Sequence, residues 1–165
     1  VKKLNIFPKF LNIYNFENFQ IKKLVLKENY IITKISDLKS FYKLLLQKNK
    51  LSFEDIDFEI IEKNKPVINF EVTKFSNFGY KKNLIYGKIF GKTFKIKAQN
   101  DFRNLNFILL DSGVSADLKF NEPKNDNLIS GVFKFKILKS NFKFNFDYNN
   151  KRLSIYNSYF RSKNL

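Results

Sequence analysis

The chain has 165 residues, a formal net charge of +16 from 31 Lys and Arg against 15 Asp and Glu, and 44% hydrophobic residues that include 21 Phe. This length favours one domain over 1–165 with room for a buried core, and the apolar fraction excludes a disordered basic tail. Because the chain contains neither Cys nor His, it has no disulfide, no thiolate or imidazole metal site and no His-based catalytic triad.

The basic charge has two interpretations. Lys makes up 28 of the 31 basic residues, and AT-rich codons encode Lys, so base composition explains the bias as well as an anionic partner does. Arg suits bidentate recognition of bases and phosphates best, and it occurs only at Arg103, Arg152 and Arg161. The composition disfavours sequence-specific nucleic-acid reading and leaves nonspecific attraction to phosphates open.

One helix is expected near 36–48. Ser36 is the predicted N-cap, and the helix runs to about Lys48. The apolar residues at helical spacing are Leu38, Phe41, Tyr42, Leu45 and Leu46.

The rest of the chain alternates apolar and polar residues, which is typical of strands with one buried face. Two hairpins are predicted, in which 56–60 pairs with 68–72 and 84–90 pairs with 93–98. Four more strands follow, at 114–120, 129–137, 142–148 and 153–155. Closing their turns predicts three cross-strand pairs that put the aromatic residues on one face: Phe120–Ile129, Ile137–Phe142 and Phe146–Leu153. The predicted fold is mainly β, an antiparallel meander that forms a curled sheet or groove, or else a closed sandwich, with one short helix.

Two motifs resemble a phosphate-binding loop and a cation site, but neither fits the pattern that such a site requires. The segment 87–93, Gly-Lys-Ile-Phe-Gly-Lys-Thr, has three residues between its glycines where a P-loop needs four, and a strand pattern follows it in place of a helix. Asp55, Asp57 and Glu59 share one strand face, which could hold a cation, but a solvated face beside neutralising lysines explains them better. With no convergent catalytic set, we expect no enzymatic activity, no cofactor and no metal site.

The aromatic face itself is the unusual feature. Its plain interpretation is the core of a closed sandwich; its functional interpretation is an open groove for acyl chains with lysines at the rim. Phe and Lys alternate in this region, so the aromatics lie opposite the lysines and cannot stack on bases that those lysines hold. The candidate groove-lining residues are Leu118, Phe120, Phe133, Phe135, Phe142, Phe144 and Phe146.

Several segments of strand and turn carry a resemblance to a known family: 77–83 (Asn-Phe-Gly-Tyr-Lys-Lys-Asn), 87–91 (Gly-Lys-Ile-Phe-Gly), Ser130-Gly131 followed by 137–146, and 153–165. Through these segments, over roughly Phe53 to Leu165, the chain resembles AsmA-like proteins of AT-rich Gram-negative bacteria. The resemblance implies a periplasmic β-sheet with a hydrophobic groove that conducts phospholipid toward the outer membrane. It also implies an N-terminal inner-membrane anchor, which this sequence lacks.

The resemblance favours a non-catalytic lipid-transport segment in outer-membrane biogenesis. The expected partners are phospholipid or another lipid, an anionic membrane surface and further β-sheet of the same chain. No run of about 18 apolar residues and no signal-peptide core is present, and the sequence starts at Val1 and contains no Met. We therefore expect an interior or C-terminal fragment of a longer protein. The alternative is a closed basic β domain that binds nucleic acid or other polyanions nonspecifically.

Overall fold

The computed structural model of the chain describes residues 2–9, 20–38, 40, 49–99, 101–122, 128–149 and 152–162. It is mainly β and mostly antiparallel, with 75% of these residues in strands, which confirms the predicted fold class. The contacts divide the chain into two compact units, Val1–Thr93 (unit 1) and Phe94–Leu165 (unit 2).

The strands of unit 1 are β1 (Lys3–Pro8), β2 (Ile21–Lys27), β3 (Tyr30–Lys34), β4 (Lys50–Glu62), β5 (Lys65–Ser76) and β6 (Leu84–Ile89). They lie in the order β1-β2-β4-β5-β6, and β3 also pairs with β4. Both β2 and β3 run parallel to β4, and neither strand was part of the predicted antiparallel meander. The chain bends at Glu28, where φ is +51°, and continues in the same direction. The buried amide of Asn29 supports this break by donating to the carbonyls of Lys3 (3.1 Å) and Lys27 (2.6 Å).

The predicted hairpin between β4 and β5 is confirmed in its outer part. Phe58 pairs with Phe70, and Ile60 pairs with Ile68. Ile56 pairs with Thr73 and not with Val72, because the register shifts on both sides of Ile56. Ile56 is only 1% exposed, and the other buried apolar residues that the structure describes in unit 1 are Val25, Leu51, Phe53, Phe75 and Ile89.

The predicted helix at 36–48 falls mostly outside the described residues. Its described beginning, Ile35–Asp37, is a 3-10 turn. Ser36 lies inside this turn, and its hydroxyl hydrogen-bonds to the Asp37 carboxylate at 3.1 Å. The residue in the N-cap position is Lys34, which makes no side-chain capping bond.

The strands of unit 2 are β7 (Lys92–Gln99), β8 (Asn104–Leu109), β9 (Val114–Phe120), β10 (Leu128–Ile137), β11 (Ser140–Asn149) and β12 (Arg152–Ser162). From Phe94 onward they form an antiparallel meander in chain order. The three predicted cross-strand pairs are each wrong by two residues. The observed pairs are Phe120–Gly131, Ile137–Ser140 and Phe146–Ile155.

Turn geometry explains the shift at the β10–β11 hairpin. The loop predicted at 138–141 is in fact a two-residue turn at 138–139, in which Leu138 adopts φ of +52°, so Ser140 pairs with Ile137. A shift of two residues keeps every side chain on its face, since side chains alternate with a period of two. The residues predicted to share the aromatic face therefore do share it, although the predicted register is wrong.

Candidate lipid-binding face

All seven residues predicted to line a groove share one face of unit 2, which we call the apolar face. The strand registers arrange this face in cross-strand rows. The rows are Ala98–Leu105–Leu118–Phe133–Phe144, Ile96–Phe107–Ala116–Phe135–Phe142–Phe160 and Phe120–Gly131–Phe146–Ile155. Alternation along each strand and pairing between strands thus build one continuous apolar surface.

The phenyl rings of this face contact one another across the strands. Phe133 lies 5.2 Å from Phe144 between ring centroids, and Phe135 lies 6.3 Å from Phe142. Phe142 continues the contact to Phe160 on β12 at 4.7 Å. These separations lie within the range in which aromatic pairs attract beyond their burial.

The two ends of the apolar face differ in exposure. Phe94 on β7 is 1% exposed, whereas Phe142 on β11 is 37% exposed and Phe160 and Leu153 on β12 are 51% and 57% exposed. Phe133, Phe135 and Phe144 are half-buried. The face is therefore a filled core at its β7 end and an open apolar surface at its β12 end.

Gly131 has no side chain, which gives two phenyl rings of the apolar face room to contact each other. It pairs directly with both Phe120 and Phe146, whose rings meet edge to face at 6.2 Å. A Cβ added at Gly131 would lie 3.0 Å from the Phe146 ring and 2.4 Å from the Lys119 carbonyl oxygen. Any larger residue at this position would collide with the Lys119 carbonyl and crowd the Phe146 ring, so this packing requires glycine.

The opposite side of unit 2, which we call the basic face, carries the polar residues of the same strands. It forms an open depression of about 620 Å³. The side chains of this face that line the depression are Lys97, Gln99, Asn104, Asn106, Asp117, Lys119, Val132, Lys134 and Lys143. Four lysines against one aspartate make it strongly cationic, and the Asn106 amide donates to Asp117 at 2.7 Å.

A β-bulge on β12 changes which side chains reach the basic face. Asn145 pairs with Tyr156, but Lys143 pairs with Tyr159, so Asn157 and its neighbour both lie opposite one residue of β11. Asn157 adopts φ of +50°, as a bulged residue often does. Tyr156 and Tyr159 therefore both lie on the basic face, although strict alternation would separate them.

Desolvation and acidic neighbours raise the pKa of two tyrosines. Tyr30 in unit 1 donates to Glu59, and this bond, followed by desolvation and the nearby negative charges, raises the pKa of Tyr30. In unit 2 desolvation, with Asp147 adding charge and a 3.2 Å hydrogen bond, raises the pKa of Tyr156.

The other residues and motifs considered as possible sites have structural roles. Asp55 forms an ion pair with Lys74 at 3.0 Å, and Asp57 accepts a hydrogen bond from the Val72 backbone at 2.9 Å. Glu59 is the acceptor for Tyr30, so each carboxylate has its own partner. No group of three acidic side chains within the described ranges could hold a metal ion. The segment 87–93 is strand, turn and strand, as its spacing predicts.

Sequence reasoning missed part of both faces. Phe160 belongs to the apolar face through its ring contact with Phe142, and Tyr159 belongs to the basic face. A signal for both is present in the sequence. Apolar residues fall on odd positions at Leu153 and Ile155 and on an even position at Phe160, and such a change of parity around Asn157 indicates a bulge.

Comparison with known proteins gives no relative. No family model, no curated protein and no solved structure matches the chain. Among the described residues, no helix has the length and apolar character needed to cross a membrane.

Proposed function

We propose that this chain is a non-catalytic, lipid-binding segment of an AsmA-like lipid-transport protein that acts in outer-membrane biogenesis. In this proposal the chain lies in the periplasm and is anchored to the inner membrane through a segment outside this sequence. The observation that supports it is the open half of the apolar face, where Phe142, Leu153 and Phe160 are each more than a third exposed. Exposed apolar surface of this kind is characteristic of binding sites.

The chemistry of the open half suits an acyl chain. Burial of each methylene contributes about 0.8 kcal/mol, so six methylenes laid across the rings of Phe142 and Phe160 contribute about 5 kcal/mol. The entropy lost on association and on ordering the acyl chain is subtracted from this gain before it becomes a binding free energy. The three rows contain only apolar side chains, and the polar residues next to them are Asn157 and Ser158, which lie opposite Phe144, and the pair Ser140–Ser162. Binding by shape and apolar contact would not distinguish closely related lipids.

The test combines lipid analysis with two matched substitutions on β11. Phe142→Asp places a carboxylate on the open half, and Asn141→Asp places the same charge on the other face of the same strand. We expect mass spectrometry to detect copurified lipid with the unmodified protein and with Asn141→Asp. We expect at least a fivefold loss with Phe142→Asp while the circular dichroism spectrum is retained.

A second substitution separates an open face from a closed core. Phe144 is half-buried, and in an open face Phe144→Asp leaves the carboxylate partly hydrated, so the protein folds and loses lipid. In a closed core the same carboxylate costs several kcal/mol and unfolds unit 2. A clean preparation without lipid, together with unfolding of both Phe142→Asp and Phe144→Asp, would refute the proposal.

A further inference from the structure

The basic face brings together two kinds of side chain that the sequence pattern keeps apart. Tyr156 and Tyr159 are 42% and 53% exposed, and Tyr159 is the direct cross-strand neighbour of Lys143, which lines the depression. Directly opposed side chains in a sheet lie about 5 Å apart at Cβ. The cationic depression therefore continues into an exposed aromatic surface on β12.

The lysines of the depression are available to a ligand. Within the described part of the chain, Lys97, Lys119, Lys134 and Lys143 form no ion pair. The one aspartate among them, Asp117, already accepts a hydrogen bond from Asn106. The remaining polar side chains of the floor are amides, which can donate to an anion without competing for the lysines.

We infer that the basic face of unit 2 binds single-stranded nucleic acid without sequence preference. Proteins with this activity combine a cationic groove along the backbone with aromatic side chains on which bases stack. One row crosses the face from Lys97 through Asn106, Asp117, Lys134 and Lys143 to Tyr159. Five strand spacings of about 4.8 Å give it a length of about 24 Å, which suits a ligand of several nucleotides.

The same observations favour this ligand over other polyanions. A flat anionic bilayer does not fill a concave depression, whereas a flexible strand can enter it. Arg is the residue of choice for bidentate base recognition. Only Arg152 and Arg161 lie on this face, so sequence reading is not expected. Tyrosine rings stack on any base, because every base has a π-face.

This inference is independent of the proposed lipid function, because it rests on the opposite face of the sheet. The probe is a fluorescent oligothymidylate of about 15 nucleotides, and binding to the unmodified protein is followed by anisotropy at several salt concentrations. Tyr159→Ala should weaken binding at least fivefold, the lower end of the stacking range, whereas Tyr159→Phe should bind as the unmodified protein does. The matched control is Tyr80→Ala, since Tyr80 is fully exposed in unit 1, and it should have no effect.

The contribution of the lysines is tested with two variants that lose the same net charge at different places. Lys134→Gln combined with Lys143→Gln should weaken binding and reduce the slope of log K against log salt by about 1.4. Lys81→Gln combined with Lys82→Gln removes the same charge from an exposed turn of unit 1 and should change the slope little.

Three results would overturn the inference. One is the absence of oligothymidylate binding at low salt. Another is an equal effect of the basic-face variants and their unit 1 controls, which would indicate attraction by net charge alone. The third is tighter binding to vesicles of anionic phospholipid, lost in the same Tyr159 and lysine variants, which would assign the face to a membrane surface. Phe142→Asp should leave oligothymidylate binding unchanged, so failure of the lipid proposal is seen separately.

Discussion

Substitution of Gly131 by alanine is the sharpest test of the packing in unit 2. The added Cβ would lie 2.4 Å from the Lys119 carbonyl oxygen and 3.0 Å from two atoms of the Phe146 ring. A ring can rotate away, but the carbonyl belongs to the paired backbone of β9, so the β9 and β10 strands must separate. The contact with Lys119 therefore dominates the cost.

Two opposing effects determine how much Gly131→Ala changes the free energy of unfolding. Overpacking of this kind costs about 1–3 kcal/mol, while replacing glycine by alanine reduces the entropy of the unfolded chain and stabilises by about 0.4–1 kcal/mol. The backbone of Gly131 is not in the positive φ region, so the second term applies in full. We expect Gly131→Ala to lower the free energy of unfolding by about 1–2 kcal/mol, and the steric term wins.

Urea unfolding followed by circular dichroism measures this loss. With a slope of about 1–3 kcal/mol per molar urea, the midpoint should fall by roughly 1 M. Gly91→Ala is the control, because its Cβ would meet no atom within 4 Å and its φ of +72° supplies only conformational strain. Phe146→Leu combined with Gly131→Ala should not restore stability, since the carbonyl contact remains. A Gly131→Ala protein as stable as the original would refute the reasoning.

Three further predictions concern unit 1. Thr73→Val should raise the free energy of unfolding by up to about 1 kcal/mol in urea unfolding, because the buried Thr73 hydroxyl has no hydrogen-bond partner among the described residues; a loss of stability would contradict this. Asn29→Ala should lower it by about 1–3 kcal/mol, since the carbonyl of Lys3 loses its donor, and an unchanged thermal midpoint would count against that role. Tyr30 should ionise above its ordinary pKa near 10, so its contribution to stability is fully present below pH 10 and is lost as the pH rises through the folded value. A pH titration followed by tyrosinate absorbance should show the raised pKa of Tyr30. The Glu59→Gln variant should have a lower pKa of Tyr30 than the unmodified protein.

The alternation of residues determined which side chains share a face. Phe133, Phe135 and Phe144 were placed on one surface from sequence because a strand projects neighbours to opposite sides whatever it pairs with. The positions of β7, β9, β10 and β11 and the outer part of the β4–β5 hairpin follow from the same local pattern, whereas β8 and residues 156–162 of β12 were not predicted. The pattern that places a side chain on one face or the other is local, so an error of two residues in the predicted register does not change the face.

The tertiary structure decided everything that depends on how strands meet. The positive φ of Leu138 shortened one turn and moved the register, and the parallel pairing of β2 with β4 joins residues far apart in sequence. The bulge at Asn157 placed Tyr159 beside Lys143, a juxtaposition that strict alternation does not predict. The sequence also did not determine which aromatic side chains are exposed, because the same alternating pattern results whether another layer of the protein or solvent covers the face. Only the folded chain shows that Phe94 is buried and that Phe160 is exposed.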